Sequence, residues 1–526
     1  MQGIKLLKNS ILTASIFIYI ILSIFSLIYF PSMHSDEGWL ASLSRSIYHE
    51  KNIGAVEDFF HDVQRNPHAI KTLFHLIQIP FINTSFSLFA VRLLSLIAGL
   101  LALWFLYRSS LIIFKNKYIT AGIVLLTATD IQFIYCSHFA RQEILIFLVF
   151  SICLYIFVDP TKIWRIRKDL LIGGVLGISI GIHPNIFIIA TGFVFLYILH
   201  SIIRVRTKNK KHPFFTNLAV LIATLTFFGI IYIGLSLFLD SDFISNYLNF
   251  GNDHGVTNPI FVKALKLSRF YKKMFFRIGG TYYLPDIRPQ LILFAASFLL
   301  LIPVAVFTPK KRLLILSVQV LMLGINAGIL LIGKYSPPSI IFIFLPGYLL
   351  IFILLQTLIP ERKILWFTFI LAASSAIFSA GQILPWMGID YTEYIRKIKY
   401  NIPETAGTLG NLNSVFAFSP DKLYSYRDLI SLNSKFGFSN YMERYNIEYI
   451  IYSDELEIIY KERPVWNTMY GNIYPWYEDM KLFLKNNCKE VTKWNEPVFG
   501  MRITSYMNNR GGNITVYKVL TKDQIN

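Results

Sequence analysis

Apolar runs separated by short polar breaks fill the first 384 positions. A bilayer crossing takes about 20 apolar residues in a helix. Runs approaching or exceeding that length fall at 10–30, 86–107, 118–137, 141–158, 169–184, 185–203, 214–239, 290–308, 313–333, 338–359 and 364–384. The pattern predicts about eleven transmembrane helices. Alternate breaks are basic: Lys5/Lys8, Arg108/Lys115/Lys117, Lys162/Arg165/Arg167/Lys168, Arg204/Arg206/Lys208/Lys210/Lys211, Lys310/Lys311/Arg312 and Arg362/Lys363. Cytoplasmic breaks concentrate Lys and Arg. All six are therefore assigned to the cytoplasm of a multi-pass plasma (inner) membrane protein, with the N-terminus inside and residues beyond 384 outside. The first run exceeds the roughly 7–15 residues of a signal-peptide core, and no small-x-small cleavage site follows it, so it is expected to stay as an uncleaved span.

Three longer pieces then fall on the outer side: 31–85, 240–289 and the tail from 385. In "DEGWLASLSRSIYHE", Trp39, Leu43 and Ile47 share one helical face, and "AIKTLFHLIQIPFI" is also amphipathic. Such segments lie along a membrane surface or pack on a bundle. The tail changes texture. Tyr449–Tyr452 is an apolar strand core, and "PVFGMRITSYMNNRGGNITVYKVL" alternates around Asn509–Gly512, a hairpin signal. The expected fold is an α-helical polytopic membrane domain, residues 1–384, followed by a small extracytoplasmic α/β domain, residues 385–526.

Composition agrees with the pattern. Of 526 residues, 54% are hydrophobic and 15% charged, against about a quarter charged in soluble domains. The formal charge of +19 would suggest nucleic acid in a soluble protein, but here the cations sit between spans, so no nucleic-acid partner is expected. The three cysteines form no metal or disulfide spacing. There is no Walker A sequence and no G-x-G-x-x-G after a strand, which disfavours ATP-driven and dinucleotide chemistry.

Candidate chemistry gathers at the outer rim. Asp36 and Glu37 follow the first span, where ionised carboxylates are costly unless solvated or paired. Adjacent helical residues point about 100° apart, so one carboxylate faces a cavity while the other meets a structural partner. Asp36 is the candidate base. Arg141 and Glu143 stand at the short break before the fourth span, where Arg141 either snorkels to headgroups or grips a phosphate through paired N–H groups. Asp130 reads as a buried helix partner. His183 precedes the helix-breaking Pro184, and Lys334 and Tyr335 stand at the mouth of the ninth span. Each of these has an ordinary interfacial reading beside the functional one. His61, His68 and His75 are spaced by seven, about 10.5 Å on a helix, which is too far for one ion. A divalent metal near Asp36 stays open, without a ligand set.

The residues together resemble the GT-C superfamily of membrane glycosyltransferases, in the branch of the protein O-mannosyltransferases and aminoarabinose–lipid A transferases. "MHSDEGWLASLSRSI" is similar to that family's first-loop acidic motif, with Asp36 at the catalytic carboxylate. Arg92 stands in the Arg-Leu place of the second span, "HFARQEILIF" resembles the Ala-Arg-x-(Asp/Glu) segment before the fourth span, and "GISIGIHPNIFII" resembles the span after it. The resemblance implies a sugar donor carried on polyprenyl phosphate and a lipid, glycan or protein acceptor, with both substrates meeting beside membrane lipids at the extracytoplasmic face. It implies that Asp36, with Glu37, carries the chemistry and that transfer inverts. Arg141, Glu143, His183, Lys334, Tyr335 and Arg277 then bind or shape around the phosphate, with Arg269, Lys272 and Lys273 as further cations of the 240–289 piece. Two other classes remain open. One is a lipid or sugar transporter or flippase, which would favour midplane charges and internal repeats. The other is a non-catalytic scaffold.

Overall fold

Backbone inside hydrocarbon has to satisfy its own hydrogen bonds, and the apolar runs do so as helices. A computed structural model describes residues 16–61, 66–160, 165–206, 216–432, 437–500, 502, 512–521 and 524. Helix α1 (Ile16–Ser26) is the described part of the first run. Two loop helices follow, α2 (Ser35–Glu50) and α3 (Thr72–Thr84). The bundle continues with α4 (Leu88–Phe114), α5 (Lys117–Thr129), α6 (Ile131–Ser137), α7 (Glu143–Val158), α8 (Arg165–Ile178), α9 (Ile186–Arg206) and α10 (Thr216–Leu239). The 240–289 piece contains α11 (Phe243–Asp253) and α12 (Ile260–Phe276), and α13 (Arg288–Phe307), α14 (Pro309–Ile332), α15 (Phe344–Leu358) and α16 (Glu361–Ile383) complete the bundle.

Among the described residues, seven helices are long and apolar enough to cross a membrane, eight if the bent pair α5–α6 is one span. The chain is an integral membrane protein. Every one of the eleven expected runs contains a helix; among the described residues α7 has 16 residues and α8 has 14, fewer than a straight crossing takes. The shortening has local causes. A 3-10 turn at Ser179–Gly181 follows α8, just before Pro184, whose ring removes a backbone donor. Helix α5 stops at Asp130, whose carboxylate caps Gln132 N at 2.8 Å, and the chain turns by 64° into α6. The basic breaks at 5–8 and 208–211, and Lys162, lie outside the described residues. Helix α15 is buried from Phe344 to Ile353, whereas α10 buries only Leu218, Leu221 and Ser236 and leaves much of its apolar surface exposed, as a helix facing lipid on one side should.

The tail begins with α17 (Tyr391–Asn401) and builds a five-stranded sheet. Its elements in order are β1 (Thr408–Gly410), β2 (Leu423–Ser425), α18 (Phe438–Arg444), β3 (Tyr449–Ser453), α19 (Asp454–Glu462), α20 (Tyr477–Asn487), β4 (Cys488–Asn495) and β5 (Asn513–Val519). The sheet order is β2-β1-β3-β5-β4, with β1 parallel to both neighbours and β5 antiparallel to both of its own. The expected strand core at 449–452 is β3, buried along its length. The hairpin is made differently from the alternation of 497–520. Its first strand is β4, upstream of Pro497, with Asn495 opposite Asn513; residues 509–511 lie outside the described residues. Lys489, Glu490 and Lys493 keep that edge charged.

The sheet domain rests on α2. A Cβ on Gly38 would lie 2.8 Å from both Leu412 O and Val415 Cγ1, so glycine permits the approach. Further along, Arg45 pairs with Asp58 at 2.6 Å and donates to Phe418 O at 2.9 Å. The first loop is thereby clamped between the bundle and the tail, with Asp36 near the clamp.

Candidate functional site

The first turn of α2 is fixed by a reciprocal cap. His34 Nδ1 accepts from Asp36 N at 3.1 Å, and the Glu37 carboxylate accepts from His34 N at 3.1 Å, satisfying two orphan donors of a helix start. Glu37 is fully buried and meets Arg92 of α4 in a two-pronged pair, Nε to Oε1 at 2.8 Å and Nη2 to Oε2 at 2.7 Å. Glu37 also accepts from Ala140 N at 2.9 Å, and Arg92 donates to Leu27 O at 2.8 Å and Pro31 O at 2.9 Å. This closed network ties the end of α1, α2, α4 and the break before α7 into one joint. Glu37 therefore points away from the cavity side, into the protein.

Asp36 points the other way. Its side chain is 27% exposed and bonds to Arg141, while Tyr282 donates to it at 2.6 Å. Arg141 also donates to Tyr282 Oη at 2.6 Å and forks onto Glu143 at 3.3 and 3.2 Å. Tyr282 stacks on His34 with ring centroids 4.4 Å apart and planes 10° off parallel, and His34 Nε2 reaches Thr281 Oγ1 at 3.0 Å. Since His34 Nδ1 accepts from the backbone, its Nε2 carries the proton and donates to Thr281.

The electrostatics divide these groups. Burial by itself raises the pKa of Asp36, but the charges of His34 and Arg141 and the Tyr282 hydroxyl outweigh it and hold the carboxyl well below the usual carboxylate range. His34 is pushed down to about 4, chiefly by burial. It is therefore neutral at neutral pH, where Arg141 supplies the compensation for Asp36. Burial pushes the Tyr282 hydroxyl up, so it stays protonated and continues to donate.

Further cations converge from separate parts of the chain. Lys334 lies within electrostatic range of Arg141 and Asp36, and Lys71 and Lys334 lie within range of His183. Arg502 acts on Asp36 and His34, and Arg427 feels Asp36 and Arg502. Arg427 lies over the Trp39 ring at 5.1 Å, and Trp39 Nε1 donates to Glu57 at 2.5 Å. The partly exposed Asp36 carboxylate, with Glu143 behind Arg141 and Glu57 beside Trp39, thus sits among cations brought by the break before α7, the end of α14 and the tail.

The residues expected from the sequence divide accordingly. Asp36, Arg141 and Glu143 are in direct contact, and His183 and Lys334 stand in the surrounding basin. His183 Nδ1 accepts from Asn185 N at 3.0 Å, shaping the turn into α9. Tyr335 spends its hydroxyl on Lys263 O at 2.7 Å and stacks on Phe270, holding α12 to the end of α14. Arg277 ends α12 at a positive φ of 54° and donates to Leu284 O at 3.2 Å. His34, Thr281, Tyr282, Arg427 and Arg502 are the residues that sequence reasoning missed. A signal for Tyr282 was present: "GGTYYLP" (279–285) ends a basic amphipathic stretch with two glycines and two tyrosines.

Among the described residues no three His, Cys, Asp or Glu side chains gather as a metal site. His61, His68 and His75 meet Tyr424, Phe243 and Ser44 respectively. Around Asp36 the set is one carboxylate, one imidazole and a guanidinium, which does not fit a divalent cation.

No protein-family model and no curated protein matches the sequence. Solved structures do match. A crystal structure of ArnT from Cupriavidus metallidurans bound to undecaprenyl phosphate aligns with a TM-score of 0.52 at 10% identity, over 78% of this chain and 85% of that one. This chain has a GT-C fold. An Archaeoglobus fulgidus oligosaccharyltransferase tethered with an acceptor peptide aligns with a TM-score of 0.49 at 12% identity, over 90% of this chain and 72% of that one. The GT-C fold is what the order of the acidic, Arg-Leu and Ala-Arg segments implied, and the Arg92–Glu37 joint is the contact through which two of those segments meet.

Proposed function

We propose that this protein is an extracytoplasmic-face membrane glycosyltransferase that moves a sugar from a polyprenyl-phosphate donor to a lipid, glycan or protein acceptor. The observation that carries the reading is the partly exposed Asp36, bonded to Arg141 and Tyr282 inside a cationic basin. The undecaprenyl phosphate in the ArnT crystal supports a donor of this class.

In this reading Arg141 changes partners. Without donor it neutralises Asp36, which makes Asp36 a weak base. An arriving phosphate competes for the guanidinium, and Glu143 keeps Arg141 from swinging away. Asp36, partly released, recovers basicity. It takes the acceptor proton as the acceptor atom bonds to the anomeric carbon, and the anomeric C–O bond breaks with its electron pair leaving on polyprenyl phosphate. Arg141 and Lys334 stabilise that developing charge. One direct displacement inverts the anomeric configuration. Arg427 and Arg502 place the tail beside the incoming acceptor.

The test is turnover of a panel of polyprenyl-phosphate sugars by wild type and Asp36→Asn. Loss of a general base costs about 10²–10⁴-fold, so the variant should be nearly silent while remaining folded. Equal turnover by the two proteins removes Asp36 from the mechanism.

A further inference from the structure

Helix α12 carries two apolar faces. One packs inward through Phe270 and Met274. The opposite face exposes Phe261, Leu265 and Phe276, at 69%, 47% and 62%. Arg269, Lys272 and Lys273 stand exposed on and beside this outer face and make no salt bridge among the described residues. From 254 to 285 the sequence contains six Lys or Arg and no Asp or Glu. The helix crosses the end of α14, where Lys263 Nζ caps Leu331 O at 2.7 Å and Tyr271 reaches Asn326 Oδ1. It therefore lies at the level where a membrane-spanning helix stops. An apolar stripe flanked by cations at that level is the geometry of a helix lying in the headgroup layer.

We propose that α12 docks on anionic lipid headgroups, and that this docking holds Tyr282 against Asp36. Charge complementarity selects the occupant, since an acid-free basic face fits an anionic lipid surface. The coupling follows from the chain. Arg277 caps α12, Ile278 and two glycines follow, and Thr281 and Tyr282 come next, one bonded to His34 and the other to Asp36. Arg277 Nε donates to Leu284 O at 3.2 Å and a Cβ on Gly279 would lie 2.7 Å from Leu284 Cδ1, so the position of α12 reaches Tyr282 through a short link that is packed against Leu284. A consequence for sugar transfer rests on Asp36 being the base; the docking does not.

The experiment is hydrogen exchange on the full chain, without substrate, in lipid discs of phosphatidylcholine alone or mixed equally with phosphatidylglycerol. Each cation near an anionic surface contributes roughly a fivefold factor in partitioning. Amides of 260–283 should therefore exchange severalfold more slowly in the anionic discs, and high salt should erase the difference. The exposed triple variant R269Q/K272Q/K273Q should lose the slowing. Equal exchange in both discs, or slowing that survives in the triple variant, overturns the docking. Slowing in α12 without matching protection of the first turn of α2 overturns the coupling. Because no turnover is measured, an inactive protein would count against the transferase reading alone.

Discussion

Asp36 and Glu37 are neighbours with opposite environments, and the difference is one helical step. Glu37 turns inward to Arg92 and is fully buried, so it is a brace by geometry. Breaking a buried pair from one side leaves an uncompensated charge, at a cost of about 3–5 kcal/mol. Glu37→Gln should accordingly lower the melting temperature in detergent more than Asp36→Asn, which leaves Arg141 its second carboxylate, Glu143; equal melting of the two variants would contradict the division of roles. His34 gives a pH signature. Its native value of about 4 lies below the usual 6.5. Between those values the unfolded chain binds a proton that the native state refuses, so stability falls as pH drops through the window, by up to about 3 kcal/mol. The depressed carboxyl of Asp36 acts in the same sense, but only below the ordinary carboxylate range. His34→Asn, which keeps a capping side chain, should flatten the melting profile between pH 6.5 and 4; an unchanged profile would sink this assignment. The sequence exposed Asp36 and Arg141 because charges beside apolar runs stand out. It concealed His34, and it marked Tyr282 only by the glycine–tyrosine cluster of 279–283, since the contact with Asp36 forms only when residues 246 apart are brought together.

At the scale of elements, periodicity disclosed where helices lie but not how they bend or how closely they approach. Residues 118–137 read as one straight span, yet Asp130 ends α5 by capping α6 and also accepts from Gln290 at 3.0 Å. A capping carboxylate offers the backbone an alternative to the helix, and apolar spacing does not register that competition. Close approach is decided by small residues. Helices α9 and α14 meet at Gly192, Gly324 and Gly328, where an added Cβ on Gly324 would fall 2.8 Å from Gly192 Cα and one on Gly328 would fall 2.7 Å from Ile188 Cα. Four-residue glycine spacing is a known route to tight packing in membranes; it was legible in "LGINAGILL" but is inconspicuous inside an apolar run. Overpacking costs typically 1–3 kcal/mol. Gly328→Val should therefore lower thermal stability by about that amount, whereas Gly174→Val, where nothing lies within 4 Å of the added Cβ, should be nearly neutral. Equal melting shifts for the two would show that the α9–α14 contact is looser than the geometry requires.

At the scale of the whole molecule, the basin is assembled from parts that must share one side of the membrane. Asp36, the cap of α14 and the tail all face it, and Arg45 joins the first loop to Phe418 of the tail. If the tail were on the opposite side from the first loop, the basin could not form. Lys310, Lys311 and Arg312 stand at the other end of α14 from Lys334, and because basic loops concentrate in the cytoplasm we propose that the basin faces the opposite, outer side. Native thiols are poor reporters, because Cys136 and Cys153 are buried and burial pushes Cys488 up to about 12. Exposed positions serve better. In a Cys488→Ser background, Lys489→Cys on β4 and Lys310→Cys at the start of α14 report the two sides. In intact cells a membrane-impermeant maleimide should modify the first and spare the second, with both labelled after permeabilisation. The reverse pattern would place Asp36 on the cytoplasmic face. A donor presented from the outside would then be excluded even if the geometry around Asp36 were correct in every contact.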